Sequence, residues 1–166
     1  MRQTNGLYPV LLRHFGRLPL KVRHVLVGWT SPAYRIGTVA IIRDGPDRIL
    51  LARHSYRSGW GLPGGMIGWR EEPEETIVRE IDEEIGLTVR VVGSALVRHR
   101  LKPRRVEFYY ELWLDGCDAD DAYPRSPEIE EVSWFDASDL PALERGDSKT
   151  ISALEAVLGR SLVSPG

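Results

Sequence analysis

Between Pro73 and Ile85 the apolar positions recur every four residues, at Ile77, Ile81 and Ile85, and with Val78 they form one stripe of an amphipathic helix. Pro73 suits the first helical position, where a missing N–H costs nothing. Glu71, Glu72, Glu74 and Glu75 suit the positive end of the helix dipole, and Gly86 is placed to close the helix in the left-handed conformation. The helix so predicted is roughly 20 Å long at the usual rise per residue. Around it lie β-rich runs. Ile36 to Ile42 and Ile49 to Ala52 are joined by Asp44-Gly45-Pro46-Asp47, and Thr88 to Val97, Val106 to Leu114 and Glu131 to Phe135 follow the helix. Ser138-Asp139-Leu140 reads as the start of a helix and Ile151 to Leu158 as a last one. Upstream, Leu7, Val10, Leu11, Leu12, Phe15 and Leu18 predict a short amphipathic helix ending near Pro19, and Val22 to Trp29 is a second apolar piece. Strands interrupted by one central helix and finished by another predict an α/β fold, an α/β/α sandwich around a mixed β-sheet.

Composition narrows the class. At 166 residues the chain is most simply one domain with an ample core, and its 42% apolar and 28% charged residues argue against disorder. No apolar run approaches the ~18 residues of a membrane span, and the N-terminus lacks a secretory leader pattern, so a cytoplasmic protein with no membrane partner is expected. Cys117 is the only cysteine, which leaves no internal disulfide and no thiolate metal site. The net charge of −2 hides an asymmetry: residues 1–43 carry Arg2, Arg13, Arg17, Lys21, Arg23, Arg35 and Arg43 and no acid. A basic arm can meet RNA, anionic lipid or a partner subunit. Without aromatic residues interleaved in the manner of RNA-binding segments, a solvated surface is the preferred reading and nucleic acid is not expected as a partner.

The chemistry concentrates on the central helix. Residues 71–84 hold eight acids and one base, a density that self-repels and calls for a compensating cation. On a helical wheel Glu80, Glu83 and Glu84 fall within about 100°, beside the apolar stripe. Three carboxylates aimed at one partly sheltered spot suit a hard divalent cation such as Mg²⁺. The preceding Trp60-Gly61-Leu62-Pro63-Gly64-Gly65 reads as a tight loop whose backbone can approach a diphosphate closely. An acidic, solvated helix that packs by its isoleucines is the plain alternative.

The spacing decides between them. From Gly65 to Leu87 the chain satisfies G-x5-E-x7-R-E-U-x-E-E-x-G-U, with U aliphatic, at all nine specified positions. This stretch resembles the Nudix box, the signature of the Nudix hydrolase family. The resemblance implies a Nudix-type sandwich and cleavage of a nucleoside diphosphate linked to another moiety, with Mg²⁺ or Mn²⁺. It implies that Glu80, Glu83, Glu84 and the Gly64 carbonyl hold metal, and that Arg79 braces the carboxylates through Glu71. The base would be Glu83, Glu84 or a glutamate outside the box. Residues 1–34 would be a basic extension packing on or preceding a domain at 35–166, and a route to a homodimer.

Outside the box the candidates are looser. Glu128, Glu130 and Glu131 compete for the role of a further site glutamate, with Glu131 preferred. Arg98, His99, Arg100, Lys102, Arg104 and Arg105 lie between two predicted strands, and Arg98 and Arg100 are candidates to hold substrate phosphates. Trp60, Trp69 and Tyr34 could stack a base. His54 has no evident chemical partner and reads as structural. In the family, a proline sixteen residues past the box accompanies ADP-ribose specificity, and Pro103 stands there, while Arg105 replaces the tyrosine of the dinucleoside polyphosphate class. ADP-ribose or a nucleoside diphosphate sugar is therefore favoured. The rivals are a house-cleaning nucleoside triphosphate pyrophosphohydrolase, an RNA 5′-end pyrophosphohydrolase and a non-catalytic nucleotide-sensing module; the intact box carboxylates speak against the last.

Overall fold

The structure, a computed structural model, describes residues 7–143 and 148–159. Arg2 and the side chains of Leu7, Val10 and Leu11 lie outside what is described. The chain divides into two compact units, Met1–Tyr34 and Arg35–Gly166. The first carries helices α1 (Leu7–Arg17) and α2 (Leu20–Thr30), and α2 buries none of its residues. No described helix is long and apolar enough to cross a membrane.

The second unit holds β1 (Arg35–Arg43), β2 (Arg48–His54), α3 (Pro73–Ile85), β3 (Val89–Leu101), β4 (Arg104–Leu114), β5 (Ile129–Asp136) and α4 (Ser148–Leu158). The five strands form one mixed sheet in the order β3-β4-β1-β2-β5, in which only β1 and β4 run parallel. Alternation along each strand separates two cores. Ala40 and Ile42 of β1 face Ile77, Ile81 and Ile85 of α3, with Tyr110 and Leu112 of β4. Ile41, Ile49, Leu51 and Tyr109 face Ala153 and Leu154 of α4. A helix on each face makes the α/β/α sandwich.

The centre of the sheet is split. β1 and β2 pair at Arg43–Ile49 and then diverge. The segment 61–67 enters the gap. Ala40 N–H donates to Pro63 O and Thr38 N–H to Gly65 O, each at 2.8 Å, while Gly61 exchanges two hydrogen bonds with Ala52 of β2. The glycine-rich loop is thus a wedge of extended chain held from both sides, and it delivers the chain to the start of α3.

Two expectations are corrected. Ser138-Asp139-Leu140 does not start a helix: Asp136 Oδ1 accepts from both the backbone N–H and the hydroxyl of Ser138, and these bonds close a turn. The basic run also does not form a loop between strands. β3 continues to Leu101 and β4 begins at Arg104, so Arg98, His99, Arg100, Arg104 and Arg105 are strand residues with alternating faces.

Candidate active site

α3 begins as its sequence dictates. Pro73 opens it, Glu75 Oε2 accepts from the Glu72 N–H at 3.3 Å, and Gly86 closes it at φ 79° with its N–H shared between Ile81 O and Asp82 O. The buried stripe fixes the rotation of the helix, and that rotation carries Glu80 and Glu84 to the rim of the core.

Arg79 organises the carboxylates. Its Nε donates to Glu71 Oε1 at 2.6 Å and its Nη2 to Glu71 Oε2 at 3.0 Å, a bidentate grip. The same guanidinium reaches Glu80 Oε1 at 3.0 Å and Glu83 Oε2 at 2.8 Å. Glu71 Oε2 also accepts from the Gly68 N–H and the Thr76 hydroxyl, each at 3.0 Å. The Arg79 bonds, followed by the Gly68 N–H, hold Glu71 down at about 2 from a usual 4.5, and Glu71 in turn pushes Arg79 upward. Glu71 is therefore an ionised strut.

Glu84 is the opposite case. It is 7% exposed, and its Oε2 is buried without a hydrogen-bond partner. Burial, then the charges of Glu80 and Glu128, raise it from 4.5 to about 7, against the pull of Arg57.

Glycines set how closely the loop approaches. A Cβ on Gly65 would collide with the Glu80 carboxyl and stand 2.7 Å from Glu80 Cγ. Gly64, at φ 153°, would drive a Cβ into the Thr38 carbonyl and to 2.8 Å from Val39 Cα. Because the flanking Pro63 and Gly65 carbonyls bond to β1, the Gly64 carbonyl of this extended run points away from that strand.

Hard oxygen donors of this kind fit a divalent cation, and the orphaned, buried Glu84 Oε2 is the atom most in need of one. Among the described residues, however, no three acids, histidines or cysteines are gathered into a ready metal cage. Arg79 gives the reason: it draws Glu80 and Glu83 to itself, leaving Glu84 apart.

The looser candidates divide. Glu131 is paired with Arg53 at 2.9 Å, and Arg53 also meets Glu130 at 3.4 Å, both on β5, so of the three acids the one that acts on Glu84 is Glu128, just before that strand. Arg57 was missed by sequence reasoning; only its place one turn beyond His54 could have drawn notice. Trp60 packs edge-on against Phe135 with ring centroids 4.8 Å apart, a wall of the α4-side core. Arg98 is tied to the Ser152 hydroxyl of α4 at 3.2 Å, whereas Arg100 lies further along the same face. Trp69 is fully exposed at the loop. His54 is buried against Tyr56 and lowered to about 4 by burial and Arg57, as befits a neutral structural imidazole.

Five strands between two helical layers, with an arginine-braced acidic helix on one face, define an α/β/α sandwich with a candidate site at its split centre. The NUDIX domain model matches residues 33–155, and the chain belongs to the Nudix family of hydrolases, enzymes that act on diphosphate linkages and generally use divalent metal ions. It is 32% identical over 130 residues to CMP-5′-(N-acetyl-N-hydroxy-3-aminopropyl)phosphonate hydrolase of Streptomyces rubellomurinus, a match covering 73% of this chain and 63% of that protein. It is 30% identical over 142 residues to the RNA pyrophosphohydrolase of Acidiphilium cryptum, covering 71% and 85%. Among solved structures it resembles an ADP-ribose pyrophosphatase from Streptococcus suis, with a TM-score of 0.64, 26% identity, and coverage of 76% of this chain and 91% of that one.

Proposed function

We propose that residues 35–166 form a metal-dependent hydrolase that cleaves the diphosphate linkage of a nucleoside diphosphate derivative by attack of water on phosphorus. The observation that carries this reading is Glu84, a buried carboxylate with an unpartnered oxygen on a helix where Arg79 braces Glu80 and Glu83. Glu80, Glu83, Glu84 and the Gly64 carbonyl would hold Mg²⁺ or Mn²⁺, which when bound offsets phosphate charge and acidifies a coordinated water. The chain's own part is to fix these oxygens: Glu71 and Arg79 hold the cluster, and Gly65 keeps the wedge against Glu80. A carboxylate of the site takes the proton of the attacking water as the new P–O bond forms, and the bridging P–O bond breaks.

Two substrate classes have support. Pro103 and the resemblance to the Streptococcus suis ADP-ribose pyrophosphatase favour ADP-ribose or a nucleoside diphosphate sugar. The arginines on β1, β3 and β4 favour a nucleotide with a further phosphate. The test is hydrolysis of ADP-ribose, a nucleoside diphosphate sugar and nucleoside triphosphates with Mg²⁺ or Mn²⁺, by wild type and Glu84→Gln. Turnover should vanish on chelation and fall by orders of magnitude in the variant. Hydrolysis that survives exhaustive chelation, or full activity in folded Glu84→Gln protein, would overturn the reading.

A further inference from the structure

Three arginines stand abreast across the sheet. β1 and β4 are in parallel register at Arg35–Arg105, and β4 and β3 in antiparallel register at Arg105–Arg100. Alternation places all three on the α4 face, since Val39 of β1, Tyr109 of β4 and Leu96 of β3 lie at even spacing from them and pack in the α4-side core. Arg98 follows Arg100's side of β3.

Like charges directly opposite one another destabilise a sheet. Here the relief is partial. Arg105 Nε meets Glu107 Oε1 at 3.0 Å, and among the described residues neither Arg35 nor Arg100 has a carboxylate partner. One acid for three adjacent cations leaves an excess of positive charge at this end of the strands.

The next position of β1 on this face is a glycine. A Cβ on Gly37 would stand 3.1 Å from Gly65 O and 3.4 Å from Arg105 Nη2, so the Arg105 guanidinium lies over Gly37 and close to the wedge. Gly65, on the wedge, is itself in contact with the Glu80 carboxyl. The arginine row and the carboxylate cluster are therefore separated by the glycine backbone of residues 37 and 65.

We propose that Arg35, Arg105 and Arg100 form an anion subsite that takes a phosphoryl group of the substrate lying outside the hydrolysed linkage. This rests on the function proposed above and narrows its substrate class. A nucleoside triphosphate carries such a group; ADP-ribose, whose two phosphates are both in the cleaved linkage, does not. A planar guanidinium row suits phosphate oxygens, which it meets with paired N–H donors.

The test separates this subsite from the hydrolytic site. Binding of inorganic tripolyphosphate to the full chain is measured by calorimetry in the presence of chelator, for wild type, Arg35→Gln/Arg100→Gln, and Arg104→Gln. Arg104 is on the opposite face of β4, so its variant controls for loss of charge alone. The double variant should lose about thirtyfold or more in affinity and Arg104→Gln less than about threefold, so that two such charge losses alone fall short of the effect. With Mg²⁺, the double variant should raise KM for a nucleoside triphosphate with kcat held, and by a larger factor than it raises KM for ADP-ribose. Equal losses in the double variant and Arg104→Gln, or wild-type tripolyphosphate affinity in the double variant, would overturn the subsite. Thermal melts show whether each variant is folded. Failure of the hydrolase reading would show instead as metal-independent or absent turnover, with the binding result standing.

Discussion

Replacing Glu84 with Gln should stabilise the metal-free protein at alkaline pH while destroying its activity. Glu84 is 7% exposed and is raised from 4.5 to about 7, by burial first and then by Glu80 and Glu128. The folded chain thus binds a proton that the unfolded chain releases between those values. Stability associated with this group is complete below the unfolded value and is lost as pH rises through the folded one. The full difference corresponds to roughly 3 kcal/mol, of which about 2.5 kcal/mol falls between pH 5 and pH 8. Gln keeps the shape and cannot ionise. Urea unfolding with chelator present, at pH 5 and pH 8, measures the difference between variant and wild type. That difference should widen in favour of the variant by about 2 kcal/mol, roughly a 1 M shift in midpoint. His54, lowered from 6.5 to about 4, contributes stability that grows as pH rises through this range, but it does so equally in both proteins and cancels. Glu71, held at about 2, titrates below the window. A variant–wild-type gap that stays constant, or narrows at pH 8, would refute the account of Glu84 as a buried carboxylate strained by its neighbours.

Arg79→Lys cannot grip Glu71 with two parallel bonds while reaching Glu80 and Glu83, so kcat should fall by about 10- to 100-fold with saturating metal and substrate; wild-type kcat would show that the brace is not needed. Gly65→Ala places a methyl group against the Glu80 carboxyl, so a thermal melt should show a lowered midpoint and turnover should fall by at least about tenfold; a stable, fully active protein would mean that Glu80 moves aside freely.

The central helix was legible because its signals agree: an i, i+4 isoleucine stripe, Pro73 at its first turn and Gly86 at its end. The pairing of Arg79 with Glu71 was also expected, from the family pattern. What the sequence concealed depends on contacts between distant segments. Nothing local to Pro127-Glu128 shows that this acid, and neither of its neighbours Glu130 and Glu131, bears on Glu84; that follows from Ser55 N–H bonding to Glu128 O and from Arg53 claiming the other two. The arginines of residues 98–105 read as a loop because Arg is a weak strand signal, yet the ladder between β3 and β4 runs through them to the turn. Their facing positions emerge only from the register.

The glycines of the loop carry a further lesson about what a resemblance transfers. Read from sequence, Gly64 and Gly65 leave room for a ligand's phosphates. Their contacts give a prior reason. Gly64 lets the wedge pass against Thr38 and Val39, and Gly65 lets Glu80 lie on the wedge. Both are needed before any substrate arrives, to bring the helix and the sheet this close to the loop. The same wedge presents its Gly65 carbonyl to Thr38, with Gly37 and the Arg105 guanidinium beyond. One short segment therefore sets the position of the carboxylates on one side and the distance to the arginine row on the other. If that distance selects the substrate, specificity in this chain depends on the strand register at Arg35–Arg105 as much as on the residues of the acidic helix.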